Sequence, residues 1–341
     1  MILFCSDYQE GAHPAILEML SSINSAQNPG YGTDDICLAA AALIREKCSR
    51  PDADVHFLVG GTQTNTTVIS AALRPHQGVL CAHTGHISVH ETGAIEAAGH
   101  KVLAVFSPDG KITADQVERE VFLQADFEHT VKPGMVYVSF STEVGTLYSL
   151  KELTALRKVC DKHHLYLFLD GARLGYGLCG EGNDVTLTDI ARLCDVFYIG
   201  GTKVGALFGE AVVILHPALK PDFRYFIKQR GGMLAKGWLL GVQFLTLFQE
   251  DRYFAIAAHA HRMAITIRDA LRRLNIPFLF ESPTNQQFPI LPDSVLAKLS
   301  DKYAFTFWEK TDDTHTAVRI CTSWATREED VLALIKDLGD T

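Results

Sequence analysis

Seven short runs, Val55–Val59, Val79–Ala82, Val102–Phe106, Met135–Phe140, Leu165–Leu169, Val196–Ile199 and Ala211–Leu215, are apolar on both alternating sets of positions and free of Asp, Glu, Lys and Arg. No other feature constrains this chain so much. Runs of this length and continuity predict strands buried on both faces. Helical patterns lie between most of them. Asp34–Lys47 repeats Ile36, Ala39, Ala40, Leu43 and Ile44 at helical spacing, and further helices are predicted from Gly60 through Ala72 and over Ser88–Ala98. Thr113-Ala-Asp-Gln116 and Ser149-Leu-Lys-Glu152 are capping boxes that open two more, the second running to His163. Strands alternating with helices predict an α/β fold with a mostly parallel seven-stranded sheet covered on both faces. Ligands of such sheets sit outside the carboxyl ends of the strands.

The rest of the chain divides around this unit. Residues 1–32, with Pro14, Pro29 and several glycines, read as an N-terminal arm, and 33–245 as the large domain. Beyond Gly231-Gly232 the pattern is helical from Met233 through Leu274, with a break near Asp251–Arg252. Short strands follow at Phe278–Phe280, Phe288–Leu291, Ala304–Trp308 and Val318–Thr322, then a helix over Arg327–Leu338, so 246–341 reads as a smaller C-terminal α+β domain. The net charge of −9 argues against nucleic acid or an anionic membrane as partner, and no stretch approaches the roughly 18 apolar residues of a membrane span. The 8 cysteines form no CxxC pair and several fall in apolar runs, which reads as a reducing compartment, with MILFC too short for a signal sequence. The expected location is the cytoplasm.

Two of the predicted strands end in reactive groups. Lys203 lies in GGTKVGALFGE, a glycine-dense and nearly uncharged stretch between two core strands. Desolvation there would depress its pKa and the glycines would admit a bulky partner, as a Schiff-base lysine requires, although a loop lysine at the surface has the same neighbours in sequence. Asp170 ends the run LYLFL, where its carboxylate could pair with a pyridinium nitrogen or simply cap the turn before Gly171. Together the lysine and the carboxylate are what a pyridoxal phosphate (PLP) site needs. Gly60–Asn65 follows a strand and opens a helix, a place where backbone N–H groups can hold a phosphate, but it matches neither a Walker loop nor GxGxxG. His83, His86 and His90 could share a helical face. No ligand set completes a metal site around them despite Glu91 and Cys81 nearby, so the expectation is no metal, with one imidazole stacking on an aromatic cofactor. Arg319, in AVRICTSW, is either a solvent-facing strand residue or a bidentate clamp for a substrate carboxylate.

Taken in order, Ser6-Asp7, Tyr31-Gly32, GGTQTN, GHISVHETGA, FLDGAR, GGTK and VRICTSW resemble the threonine aldolase and β-eliminating lyase family of fold-type-I PLP enzymes over nearly the whole chain. FLDGAR followed at this distance by TK is the most specific element. The resemblance implies a PLP-dependent transferase-like fold and the following roles. Lys203 binds the cofactor covalently, Asp170 contacts its pyridine nitrogen, and His86 stacks on its ring. Gly61, Thr62 and Thr202 hold the phosphate. Arg173 lies beside the cofactor and grips the substrate carboxylate with Ser6 and Arg319. It also implies a homotetramer built from dimers with shared sites, so that Tyr31 would reach a neighbour's.

Two positions depart from the family pattern. Glu143, in Ser141-Thr142-Glu143-Val144, stands where many members carry a histidine near the substrate hydroxyl, which makes it the candidate base. Leu234 stands at the usual arginine position of RGGMLAKG, with Arg230 and Lys236 the nearby cations. The implied activity is aldol cleavage of a β-hydroxy-α-amino acid, L-threonine or L-allo-threonine first, to glycine and an aldehyde. The same chemistry permits β-elimination or transamination, and a non-catalytic oligomeric homologue is the reading from another class.

Overall fold

A computed structural model describes residues 1–124 and 128–340. The seven strands of the large sheet are β1 (Asp54–Leu58), β2 (Gln77–Ala82), β3 (Val102–Val105), β4 (Lys132–Ser139), β5 (Tyr166–Asp170), β6 (Val196–Gly200) and β7 (Glu210–Ile214). They lie in the order β1-β7-β6-β5-β4-β2-β3. The pairs of β2 with β3 and β4, of β4 with β5 and of β5 with β6 are parallel, while β7 runs antiparallel to both β6 and β1. The architecture is therefore α/β with a mostly parallel sheet, as its apolar runs predict.

Those runs are apolar on both sets of alternating positions because both faces are covered. Leu167, Leu169, Phe197, Ile199 and Val213 enter one core, and Phe168, Val196, Tyr198, Val212 and Ile214 enter the other. The helices begin where side chains can serve their free N–H groups. Asp34 accepts from Cys37 N at 2.8 Å, and the capping boxes at Thr113/Gln116 and Ser149/Glu152 are both formed. Two expectations need correction. The helix over Ser88–Ala98 is instead two single turns, His86–Val89 and Ala94–Ala97, because Thr92 and Gly93 adopt left-handed φ values of 54° and 69°. The helix expected from Met233 starts only at Trp238; the break expected near Asp251–Arg252 is present, with the first helix ending at Phe248 and Glu250 and Asp251 at φ 56° and 55° before Arg252–Arg273. A left-handed residue interrupts the hydrogen-bond ladder whatever the apolar spacing around it.

A smaller antiparallel sheet, in the order β10-β11-β9-β8, comprises β8 (Phe278–Phe280), β9 (Gln286–Pro292), β10 (Thr306–Lys310) and β11 (His315–Cys321). Met263, Ile267 and Leu271 of Arg252–Arg273 pack with Val331 and Leu334 of Glu328–Gly339 into its core, joined by Phe4. The chain's start thus lies beside its end. Ile2–Leu3 pairs in parallel with Tyr303–Ala304, and His13 N then reaches Gly205 O at 2.8 Å in the turn after β6.

The carboxyl ends of β4, β5 and β6 open on one edge of the large sheet. β7 runs the other way, so its first residue faces that same edge, with Gly200 opposite Glu210. Tyr253 braces the edge from behind. Its buried hydroxyl donates to Gly200 O and accepts from Gly175 N, both at 3.0 Å. Tyr253→Phe removes both bonds and is expected to cost about 1–3 kcal/mol in urea denaturation. An unchanged midpoint would deny the hydroxyl that role.

Candidate active site

A cavity of about 340 Å³ lies at this edge. The start of the helix Gly61–Ala72 contributes Gly60, Gly61 and Thr62, and the single turn after β2 contributes His86. Ser139, Ser141 and Glu143 come from the end of β4 and its loop, and Asp170, Ala172 and Arg173 from the end of β5. Tyr198, Thr202, Lys203, Phe208 and Glu210 come from β6, β7 and the turn between them, and Tyr8 from the N-terminal segment.

The fold brings Lys203, His86, Glu143, Asp170, Arg173, Gly61, Thr62 and Thr202 to this one cavity, from stretches up to 142 residues apart in Gly61 and Lys203. Ser6, Arg319 and Tyr31 do not line it. Arg319 donates to Cys5 O at 2.9 Å and to Gln286 Oε1 at 3.3 Å, beside Ser6 in sequence. Its charge is felt at His90, which also lies outside the cavity lining. Burial lowers the pKa of His90, and the charges of His86, Arg319, Lys203 and Arg173 lower it further. Tyr31 is 49 % exposed at a second cavity of about 260 Å³ that also holds Leu234 and Arg224. Arg230 donates to Ser70 Oγ at 2.8 Å and Lys236 is exposed. Among the described residues no cluster of His, Cys, Asp and Glu could hold a metal.

Asp170 is fixed from both neighbouring strands. Tyr198 of β6 donates to Oδ1 at 2.5 Å, Tyr137 of β4 donates to Oδ2, and Ala172 N reaches Oδ1 at 2.9 Å. Burial first, and then Asp170, push both phenols well above their ordinary pKa, so they remain donors. Asn65 Nδ2 spans two carboxylates, 3.3 Å from Asp170 Oδ2 and 2.7 Å from Glu91 Oε1. Glu91 Oε1 in turn lies 2.8 Å from His86 Nδ1, which sets the plane of that imidazole.

The ionisable groups around the cavity differ in what holds them. Burial lowers the pKa of Lys203 and the charge of Arg173 adds to this, while Asp7, Asp170 and Glu210 oppose it. The result is an amine more readily neutral than an exposed lysine. Burial raises Glu143, with Asp170 adding and the hydrogen bond from Ser139 opposing. Glu143 Oε1 accepts from Ser139 Oγ at 2.7 Å and from His86 N at 2.9 Å, and neither anchor uses Oε2. Burial pushes Glu210 up to about 8. A nucleophilic amine, a fixed carboxylate, an aromatic ring and a helix N-terminus converging on one space can hold a flat, anionic, carbonyl-bearing cofactor and move protons beside it.

Several of these groups carry no role in the sequence reading. Glu210 had the same signal as Asp170, a lone carboxylate at the end of an apolar run. Asn65 and Glu91 lie inside segments singled out for other residues. Asp7 had no local signal, because its partner is 166 residues away. Arg173 Nε donates to Asp7 Oδ2 at 2.7 Å and Nη2 to Oδ1 at 3.0 Å, and Asn285 Nδ2 adds a third bond at 2.9 Å. Burial alone would raise Asp7, but Arg173, Lys203 and these hydrogen bonds together bring it below its ordinary value. A depressed carboxylate stabilises the fold above its unfolded pKa of about 3.9 and loses that contribution as pH falls through the folded value. Asp7→Asn is therefore expected to cost about 3–5 kcal/mol at pH 7, because it strands Arg173, with the gap to wild type narrowing below pH 4. A gap independent of pH in urea denaturation would contradict the ion pair.

The chain is 30% identical over 339 residues to the low specificity L-threonine aldolase of a Pseudomonas species, across 98% of this chain and 96% of that one. The structure of Leishmania major threonine aldolase superposes with a TM-score of 0.98 at 47% identity, over 100% of this chain and 99% of the other. Aspartate aminotransferase of Thermus thermophilus, at 14% identity and a TM-score of 0.72 over 100% and 91% of the two chains, shares the fold-type-I architecture alone. The β-eliminating lyase family profile matches residues 4–293, and the chain belongs to that family.

Proposed function

We propose that the chain binds PLP in the Lys203 cavity and cleaves the Cα–Cβ bond of a β-hydroxy-α-amino acid, L-threonine or L-allo-threonine, to glycine and acetaldehyde. The observation that carries this reading is that Lys203 and Asp170, from neighbouring strand ends, face one cavity beside the N-terminus of Gly61–Ala72. The cavity suits the cofactor in one further way. A side chain at Gly61 would meet Tyr198 Oη at 3.2 Å, so its absence keeps the helix terminus open to a phosphate. Glu210 Oε2 is buried without a hydrogen-bond partner and lines the same space.

Bound there, PLP supplies an electron sink for the pair released when Cα–Cβ breaks. The chain's own residues do the rest. Lys203, its amine made more readily neutral by desolvation, would hold the cofactor, and Asp170 would face its pyridine nitrogen. His86, its ring plane held by Glu91, covers the face of the cofactor. Arg173 spends one Nε–H and one Nη2–H on Asp7, which leaves Nη1 for the substrate carboxylate, with Ser6 and Arg319 in the outer part of that grip. Glu143 takes the proton of the β-hydroxyl. The oxygen's electrons then form the aldehyde, and a proton returned to Cα completes glycine. A carboxylate raised by burial is the stronger base for this step. In the assembly we place the protein in the cytoplasm as a homotetramer, where the exposed Tyr31 faces a neighbour's site.

Purified wild type with PLP should show a visible absorbance band that Lys203→Ala lacks after dialysis; a colourless wild type sinks the reading. Glu143→Gln should keep the band and lose about 10²–10⁴-fold in cleavage rate. In wild type, cleavage should fall on the acid side at a pH above the ordinary carboxylate range, because Glu143 must be ionised to act. Normal turnover by the glutamine variant would remove Glu143 from the mechanism. Pyruvate or a different keto acid in place of glycine and acetaldehyde would favour elimination or transamination.

A further inference from the structure

Thr202 and Glu210 form a small device at the helix end of the cavity. Thr202 Oγ1 accepts from Gly209 N at 3.0 Å and donates to Glu210 Oε1 at 3.0 Å. Glu210 is 3% exposed, and its Oε2 has no partner. A hydroxyl has one hydrogen and two lone pairs. While Glu210 is a carboxylate, the hydrogen of Thr202 is spent on it and cannot reach a phosphate. A protonated Glu210 reverses the bond. Its own O–H fills the second lone pair of Thr202, Gly209 keeps the first, and the threonine hydrogen is free to turn into the cavity that Gly61 and Thr62 also line.

We propose that Glu210 is a proton-carrying positioning residue for the cofactor's phosphate: holding a proton, it turns the Thr202 hydroxyl toward the phosphate, and without one it withdraws that donor and sets a negative charge beside the site. The inference rests on the PLP reading and deepens it. The proton moves between Glu210 and solvent, and no other bond changes.

Every neighbour of Glu210 that bears on its charge can be named. Burial raises its pKa and Asp170 at the end of β5 adds to this. Lys203, the bond from Thr202 and the backbone of Gly201 oppose them, with the net value at about 8. Tyr198 on β6 and Tyr253 on the helix Arg252–Arg273 feel its charge, and burial keeps both phenols neutral through this range. On the β1 side its partner is the apolar Leu58. A carboxyl raised this far is protonated below about pH 8 and ionised above it, so phosphate is held more tightly on the acid side.

The test must separate Glu210 from Lys203, which titrates beside it. Lys203→Arg keeps the positive charge and removes the titration, and sulfate is a probe that stays a dianion throughout. Sulfate binding is measured by calorimetry between pH 7 and 9.5 at constant ionic strength. In Lys203→Arg the affinity should fall about tenfold across this range, within the roughly thirtyfold limit that one proton on one group near pH 8 allows. In Lys203→Arg/Glu210→Gln it should change less than about twofold, because the amide donates to Thr202 as the protonated acid does. Thr202→Val in the Lys203→Arg background should weaken binding at pH 7 by about tenfold, the worth of a hydrogen bond to a charged group, and Thr202→Ser should not. If arginine is not tolerated, Lys203→Met allows the same comparison with the fall moved to higher pH. Equal pH dependence with and without Glu210, or no sulfate binding at pH 7, overturns the proposal. A separate PLP titration of wild type distinguishes the two readings: uptake of PLP without the Glu210-dependent fall leaves the cofactor and removes the switch, and the fall without uptake of PLP does the reverse.

Discussion

A charge kept from water must find a partner inside the protein or give up its charge, and that requirement organises the ligand edge of this sheet. Asp7, Glu91, Asp170 and Glu210 are all buried there. Each is accommodated differently. Asp7 has a guanidinium and an amide. Asp170 has two phenols, an amide and a backbone N–H. Glu91 shares one oxygen between an imidazole and an amide, and Glu210 has a single hydroxyl. Desolvating an ion costs several kcal/mol, so these partners are required for the fold as well as for chemistry. Asn65 shows the economy of the arrangement, since its one amide nitrogen separates two carboxylates that would otherwise repel each other.

The fixed and the adjustable groups do different work. Asp170 has both oxygens occupied by donors that stay protonated, so its position and charge are set before any ligand arrives. Lys203 and Glu210 are less fully partnered, and burial moves them in opposite directions, lowering the pKa of the amine and raising that of the carboxyl. Preorganised charge lowers the reorganisation needed at the moment of reaction, whereas adjustable charge lets the site take up and release protons.

Much of this was legible in the sequence because it depends on local pattern. Apolar runs bounded by glycine place the strands of the large sheet, and capping boxes place two helix starts, since both are decided within a few residues. The Ser88–Ala98 helix was misread because left-handed φ at Thr92 and Gly93 leaves the apolar spacing intact. The candidate site was legible where chemistry coincides with a strand end, as at Asp170 and Lys203. It was opaque where function comes from pairing across the chain. Nothing near Asp7 announces Arg173, and nothing in GGTQTN or HETGA says that Asn65 and Glu91 meet. Glu210 was passed over for another reason: an antiparallel strand presents its first residue, not its last, to the ligand edge.

That reversal of β7 has a consequence for how such a site can be inherited. Lys203, Thr202 and Glu210 lie on one short hairpin, closed by Gly201 N and Thr202 N on Gly209 O at 2.9 and 3.1 Å. The amine, the hydroxyl and the carboxylate therefore travel together as one cassette, spaced by the turn and not by the packing of distant elements. Lengthening or shortening the turn would shift all three against Asp170 at once, while a substitution within it can retune one and leave the others in place. The hairpin is a unit of variation in its own right.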